Sequence, residues 1–222
     1  MNAIDWDLVR TSLGPLFQGL VRGTLPLTAV SFALGLALAL LVALMRLSRN
    51  RLVSGIARFY VSVIRGTPLL LQLFIVFFGL PSIGITLDPW PSAIIALSLN
   101  VGGYASEAIR GAILAVPRGQ WEAAMTVGMG RTTTLRRVVL PQAARIAVPP
   151  LSNTLISLVK DTSLVSVVLV TELLREAQVI AGQSFEFFTL YGVAAVYYWV
   201  VCLVLSFGQT RLETKLSRHV AV

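Results

Sequence analysis

Asn100, Tyr104, Glu107 and Gly111 recur at i, i+4, i+7 and i+11 within a mostly apolar run, the spacing that lines side chains along one face of a helix. An amide, a phenol and a carboxylate in a row can hydrogen-bond a polar molecule and hold one positive charge on it. The same carboxylate stands three residues before Arg110, close enough on a helix to form a structural ion pair instead. A second group, Lys160-Asp161-Thr162-Ser163, interrupts another apolar stretch after the uncharged run Ile146 to Val159. Placing a charged side chain at the centre of a membrane helix costs about 2.5 to 3.5 kcal/mol, so such groups face a partner or a wet cavity. Adjacent Lys and Asp point about 100° apart on an intact helix and cannot easily neutralise each other. The pair therefore predicts a broken helix, whose unwound backbone lets the charges meet and offers free polar groups to a ligand; an ion pair with another span is the alternative. In the third group, Arg65-Gly66-Thr67-Pro68 with Gln72, a disturbance is predicted because the residue before proline avoids the α region. It is either a kinked entry into the membrane or a gate in which Arg65 and Gln72 take part.

Catalytic chemistry has no such footing. His219 stands alone near the C-terminus with no acidic or cysteine companion at metal-ligand spacing, and Cys202, the one cysteine, cannot form an intrachain disulfide. Gly128-Met-Gly-Arg-Thr-Thr-Thr134 comes nearest to a phosphate loop but lacks its glycine frame and its Lys-Ser/Thr ending.

The elements that position these groups are membrane helices. Of the 222 residues 56% are hydrophobic and 13% charged, against roughly 25% charged in a soluble domain. Mean hydropathy is +0.81. A soluble monomer is excluded, and at roughly 20 residues per crossing the chain has room for five or six spans with short loops. Charge-poor stretches predict five: Gly23 to Met45, Ser54 to Leu80 with its disturbance at Arg65 to Pro68, Pro91 to Val116, Ile146 to Thr171 across Lys160-Asp161, and Phe187 to Thr210. Ahead of them Trp6, Val9, Leu13, Phe17 and Leu20 recur at helical spacing beside Asp5, Asp7 and Arg10, which predicts a short interfacial helix in residues 1–19 or a frayed terminus. The acidic start is unlike a secretory signal, so the first apolar run is expected to stay in the mature protein. No repeat or linker divides the chain, which reads as one membrane domain, 1–222.

The net charge of +8 follows from the sidedness of arginine rather than from nucleic-acid binding. With five spans, Arg46, Arg49, Arg51, Arg58, Arg118, Arg131, Arg136, Arg137, Arg145, Arg211, Lys215 and Arg218 share one side, against Arg10, Arg22 and Arg175 on the other. The crowded side is cytoplasmic, which predicts an outside N-terminus and an inside C-terminus. The longest basic segment, residues 117–145, predicts two short cytoplasmic helices, around Gln120 to Val127 and Thr132 to Val139, hinged at Gly128-Met129-Gly130.

Within that segment the spacing of Glu122-Ala123-Ala124, Gly128, Val138 and Leu140-Pro141 resembles the EAA loop of ABC importer permeases, which forms a coupling helix for the ATPase subunit, with Val138 where the family commonly has Ile. Arg65 to Gln72, Leu99 to Arg110, Arg118 to Ala124 and Leu158 to Leu164 are similar, in order and spacing, to the permeases of polar amino acid ABC importers, over about Gly19 to Leu212. Leu140 to Asn153 and the surroundings of Phe59-Tyr60 look most like the cystine-importing branch. The resemblance implies an all-α importer permease of five transmembrane helices in a bacterial inner membrane, with no cofactor of its own. It further implies a cytoplasmic ATPase dimer carrying ATP and magnesium, a second permease copy or homologue, surrounding lipid, and an extracytoplasmic amino acid-binding protein. Carried to matching motif positions, substrate contacts fall on Asn100, Tyr104, Glu107, Lys160, Asp161 and Thr162, and ATPase coupling on Glu122, Ala123, Ala124 and Gly128. Glu107 or Asp161 suits the ammonium of an amino acid, and Lys160 or backbone N–H groups suit its carboxylate. A permease for glutamine or a basic amino acid, and a non-transporting membrane scaffold, are the alternatives.

Overall fold

The computed structural model describes residues 5–217, which form helices joined by short turns with no strand among them. Residues 1–4 of the N-terminal segment, Arg218 and His219 lie outside the described residues.

Asp5 opens the first helix, α1 (Trp6–Gly19), its carboxylate accepting from the N–H groups of Asp7 and Leu8 at 3.1 and 3.0 Å. The expected separation between an interfacial segment and the first span does not occur. Through one widened turn, Leu20–Thr24, α1 runs directly into α2 (Leu25–Arg46), giving a continuous 41-residue helix. In that turn the Leu25 N–H bonds Leu20 O, five residues back. Pro26 follows, and the wider turn relieves the clash and missing donor that a proline brings to the regular ladder. The same π-helical device appears twice more, at Ile75–Gly79 before Leu80-Pro81 and at Leu135–Val139 before Leu140-Pro141. On α1 the buried residues are Ser12, Leu16 and Gly19; of the stripe read from the sequence Trp6, Leu13 and Phe17 are exposed, Val9 is half-buried and Leu20, just beyond the helix, is buried in the core.

The second expected span is two helices rather than one kinked one. α3 (Arg51–Gly66) stops where Thr67 and Pro68 are extended, and α4 (Leu69–Phe74), continued by turns to Ile83, leaves at 107°. Gln72 fixes this corner from inside. Its side-chain nitrogen donates to Ile64 O at 2.8 Å, Thr67 O at 3.2 Å and Thr67 Oγ1 at 2.9 Å, satisfying carbonyls that the end of α3 leaves open.

α5 (Pro89–Ala115) packs centrally against α2, α3 and α8 (Leu140–Asp161). Its small and apolar residues Ala93, Ala96, Leu97, Val101 and Ala105 share a buried core with Leu27, Leu73, Leu158 and Val165. Between α5 and α8 lie α6 (Arg118–Thr126) and α7 (Arg131–Thr134), the latter continuing into α8 through the third of the Leu-Pro turns just described, at Leu135–Val139. The two helices expected in residues 117–145 are therefore present, but the second runs on without a break into α8.

At Lys160-Asp161 the backbone tightens where unwinding was expected. α8 holds through Asp161, and a 3₁₀ helix, Thr162–Val168, follows with i+3 bonds in place of free backbone groups. Leu169 then turns in the left-handed region (φ 62°), and α9 (Leu173–Ser184) leaves bent by 48° before α10 (Phe187–Ser217). Among the described residues, Trp6–Arg46 and Phe187–Leu216 are long and apolar enough to cross a membrane, and four spans result if each bent pair counts as one. α5 has the length, but Asn100, Tyr104, Glu107 and Arg110 dilute its apolar content.

Glu172, at the entry to α9, is 0% exposed. Its carboxylate accepts from Tyr198 Oη on α10 at 2.7 Å, from Thr24 Oγ1 at the α1–α2 joint at 3.3 Å, and from the Arg175 N–H at the start of α9 at 2.7 Å. Gly23 makes this approach possible: a Cβ there would lie 2.5 Å from Glu172 Cα.

Candidate functional site

A cavity of about 480 Å³ opens between the α3–α4 corner, α5 and α8. The corner brings Thr67, Pro68 and Leu69; α5 brings Asn100, Val101 and Tyr104; α8 brings Asn153, Thr154, Ser157, Leu158 and Asp161. Asn100 is held by donating to Gln72 Oε1 at 3.3 Å, so the amide that closes the corner also orients the cavity wall. Tyr104 is 45% exposed, and the Arg65 guanidinium lies 5.4 Å from its ring centroid. Asp161 is the one charged side chain lining the cavity.

The sequence reading reached Asn100, Tyr104 and Asp161 of this lining. It missed Asn153 and Ser157, although with Asp161 they stand at i, i+4 and i+8 and so occupy one face of α8. The remaining substrate candidates lie elsewhere. Lys160 is exposed and borders a separate cavity of about 420 Å³ with Tyr198, Trp199 and Cys202. Among the described residues no ion pair joins it to Asp161, because α8 is intact there and points the two apart. Thr162 is fully buried and donates to Val159 O at 2.8 Å.

Glu107 is turned to arginines. Its carboxylate pairs with Arg46 at the end of α2, with Arg110 at 3.0 Å and with Arg65 at 4.0 Å. The i, i+3 pair weighed in the sequence is thus present within a larger cluster of three guanidiniums around one carboxylate. Arg65 belongs to both sites, touching Glu107 and the Tyr104 ring, and so links the cluster to the cavity edge.

In the loop, Glu122 and Ala123 are exposed, whereas Ala124 is only 5% exposed and faces its own chain. Trp121 packs with Ile113, Val116, Val139 and Ala143, which fixes α6 against the start of α8. α6 ends in a Schellman turn: the Gly128 N–H bonds Met125 O and the Met129 N–H bonds Ala124 O, both at 3.0 Å, with Gly128 at φ 81°. The glycine is required for this backbone conformation, since nothing crowds a Cβ there. Gly128→Val costs roughly 1 to 2 kcal/mol of left-handed strain. Limited proteolysis of the purified chain then cuts the loop faster in Gly128→Val than in wild type, with Gly128→Asn between them; equal rates for all three contradict the cap.

Residues 32–218 match the family of binding-protein-dependent transport system inner membrane components. The chain is 54% identical to the L-cystine transport system permease protein TcyB of Bacillus subtilis, over 99% of this chain and 94% of that one. It is 35% identical to the glutamine transport system permease protein GlnP of Escherichia coli, over 96% and 98%. Among solved structures, an amino acid ABC transporter crystallised with histidines superposes with a TM-score of 0.90 at 33% identity, covering 97% of this chain and all of that one. The MetNI methionine transporter, at 23% identity and a TM-score of 0.74 over 91% and 98%, shares the fold.

Proposed function

Because the chain belongs to the binding-protein-dependent transport system inner membrane components, we propose that it is the permease subunit of an ATP-driven amino acid importer whose substrate is cystine. The observation that carries the reading is the polar cavity with one carboxylate, Asp161, set among the amides and hydroxyls of α5 and α8. The cavity suits an amino acid: Asp161 takes the ammonium, and Asn100, Asn153, Ser157 and the Tyr104 hydroxyl serve the carboxylate. The high identity to an L-cystine permease supports cystine over the glutamine of the more distant relative.

In this reading residues 1–222 are one domain with five spans: Trp6–Arg46, the bent pair α3 and α4, α5, α8 with its continuation, and α10. The arginine asymmetry puts the N-terminus outside and the C-terminus in the cytoplasm of a bacterial inner membrane. A second permease copy or homologue completes the path, and an extracytoplasmic binding protein delivers the amino acid. The exposed face of α6, with Glu122 and Ala123, docks on a cytoplasmic ATPase dimer that holds ATP and magnesium, while Ala124 and Gly128 shape the loop that presents it. Glu107 with Arg46, Arg65 and Arg110 joins α2, α3 and α5, and Arg65 passes movement at this junction to the cavity edge during alternating access. Lys160 and Thr162 act on the far side of α8 by fixing its approach to α10.

The test is reconstitution of the chain with its co-encoded ATPase in vesicles, followed by ATP hydrolysis and uptake with binding protein loaded with cystine, glutamine or arginine. Cystine gives the largest stimulation. Stimulation by another amino acid alone overturns the substrate, and no stimulation or uptake with any of them leaves the scaffold reading.

A further inference from the structure

A larger cavity, about 970 Å³, lies away from the polar one, where the ends of α2 and α5 meet α6 and the start of α7. Its walls are apolar, including Leu47, Leu114 and Trp121, and its lining also carries Arg49, Arg118 and Arg131. All three arginines are exposed, and among the described residues none has an ion pair, every such contact being spent on Glu107. Arg49 follows the end of α2, whereas Arg118 and Arg131 open α6 and α7 of the basic segment 117–145, so the fold is what brings Arg49 to the other two. Arg118 opens α6, where the helix dipole gives a cation no support. Leu114, on the wall, is 59% exposed.

We infer that this cavity is a site for an anionic phospholipid, with the phosphate on Arg49, Arg118 and Arg131 and an acyl chain along Leu47 and Leu114. The inference rests on the orientation proposed above, which sets the ends of α2 and α5 at the cytoplasmic headgroup level. Guanidiniums bind phosphate through forked, charge-assisted hydrogen bonds, and basic pockets between helices on the cytoplasmic side hold anionic headgroups. Trp121 has the amphipathic ring favoured at that depth. Exposed Leu114 on the wall of the cavity gives an acyl chain room beside the arginines, and the ATPase is the competing occupant that the test separates. A lipid seated there touches α2, α5 and α6 at once, and so braces the coupling helix against the membrane helices it must move.

The assembled permease–ATPase complex is prepared in mixed phosphatidylglycerol and phosphatidylcholine, and the retained lipid is counted by native mass spectrometry. Wild type keeps phosphatidylglycerol in preference to phosphatidylcholine, and Arg49→Gln with Arg118→Gln and Arg131→Gln lowers that retention about fivefold or more. Leu114→Trp, which fills the wall without changing charge, also lowers it. The control Arg136→Gln with Arg137→Gln, outside the cavity, leaves it unchanged. Equal loss in the control, or unchanged retention in both cavity variants, overturns the site. Retention seen only without the ATPase makes the ATPase the occupant and overturns it as well. Uptake in the same vesicles separates this from the transport reading: absent amino acid uptake with normal lipid retention defeats the function, not the site.

Discussion

Asp161→Asn lowers amino acid uptake about ten- to a hundredfold per inserted permease, the effect of losing one charge-assisted hydrogen bond worth roughly 1.5 to 3 kcal/mol. The reason is local: Asp161 is the one charged group lining the cavity, so no neighbour there replaces it. Lys160→Met has a much smaller effect, because Lys160 borders the other cavity, against α10. The double variant Lys160→Met with Asp161→Asn therefore behaves as Asp161→Asn alone. A purely structural role for Asp161 requires the opposite, since its loss would strand Lys160 and removing Lys160 would rescue it. Normal uptake by the double variant, measured with radiolabelled substrate beside quantified membrane protein, ends the ligand assignment.

The second large effect falls on folding. Glu172→Leu removes the acceptor for Tyr198 and Thr24 and the side-chain cap at the Arg175 N–H. Each buried polar group left without a partner costs about 1 to 3 kcal/mol, a large share of a marginal stability of roughly 5 to 15 kcal/mol. Leucine also cannot bring α9, α10 and the α1–α2 joint to one point. Expected is a large fall in monodisperse protein on detergent size-exclusion, with Glu172→Gln, which keeps an acceptor oxygen, falling far less. Wild-type yield and thermal midpoint for Glu172→Leu would show that the three elements are held by apolar packing alone.

Both effects touch groups that the sequence revealed unequally. Asp161 was legible because a charge in a long apolar run is conspicuous wherever it points. Asn153 and Ser157 carry the same helical period, but neutral polar residues cost so much less in a membrane helix that they draw little notice beside Lys160-Asp161. The 100° divergence of that pair was also legible, and it describes the outcome: the two side chains line different cavities because the helix does not unwind. The chain tightens to a 3₁₀ helix instead, and that depends on packing around Thr162, Val165 and Val168, all buried. The corner at Pro68 could be read from the proline, but not its 107° angle, which is held by three bonds from Gln72 back across the turn. Glu107 lay on the expected face of α5, yet its fate was decided by Arg46, far away in the chain. Glu172 was lost at the edge of an apolar run, since nothing local announces a partner at Tyr198.

The three π turns before Leu-Pro pairs have a consequence for how the chain can vary. Each holds one residue more than the regular helix would, so the helical wheel changes phase by about 100° across it. The turn at Leu135–Val139 lies between α6 and α7 on one side and the cavity-lining face of α8 on the other. It therefore works as an angular vernier: gaining or losing a single residue there re-aims α6 about the axis of α8 while leaving the rod unbroken. One insertion or deletion in this turn thus adjusts the angle at which α6 is presented, with Asn153, Ser157 and Asp161 kept in their own alignment beyond it.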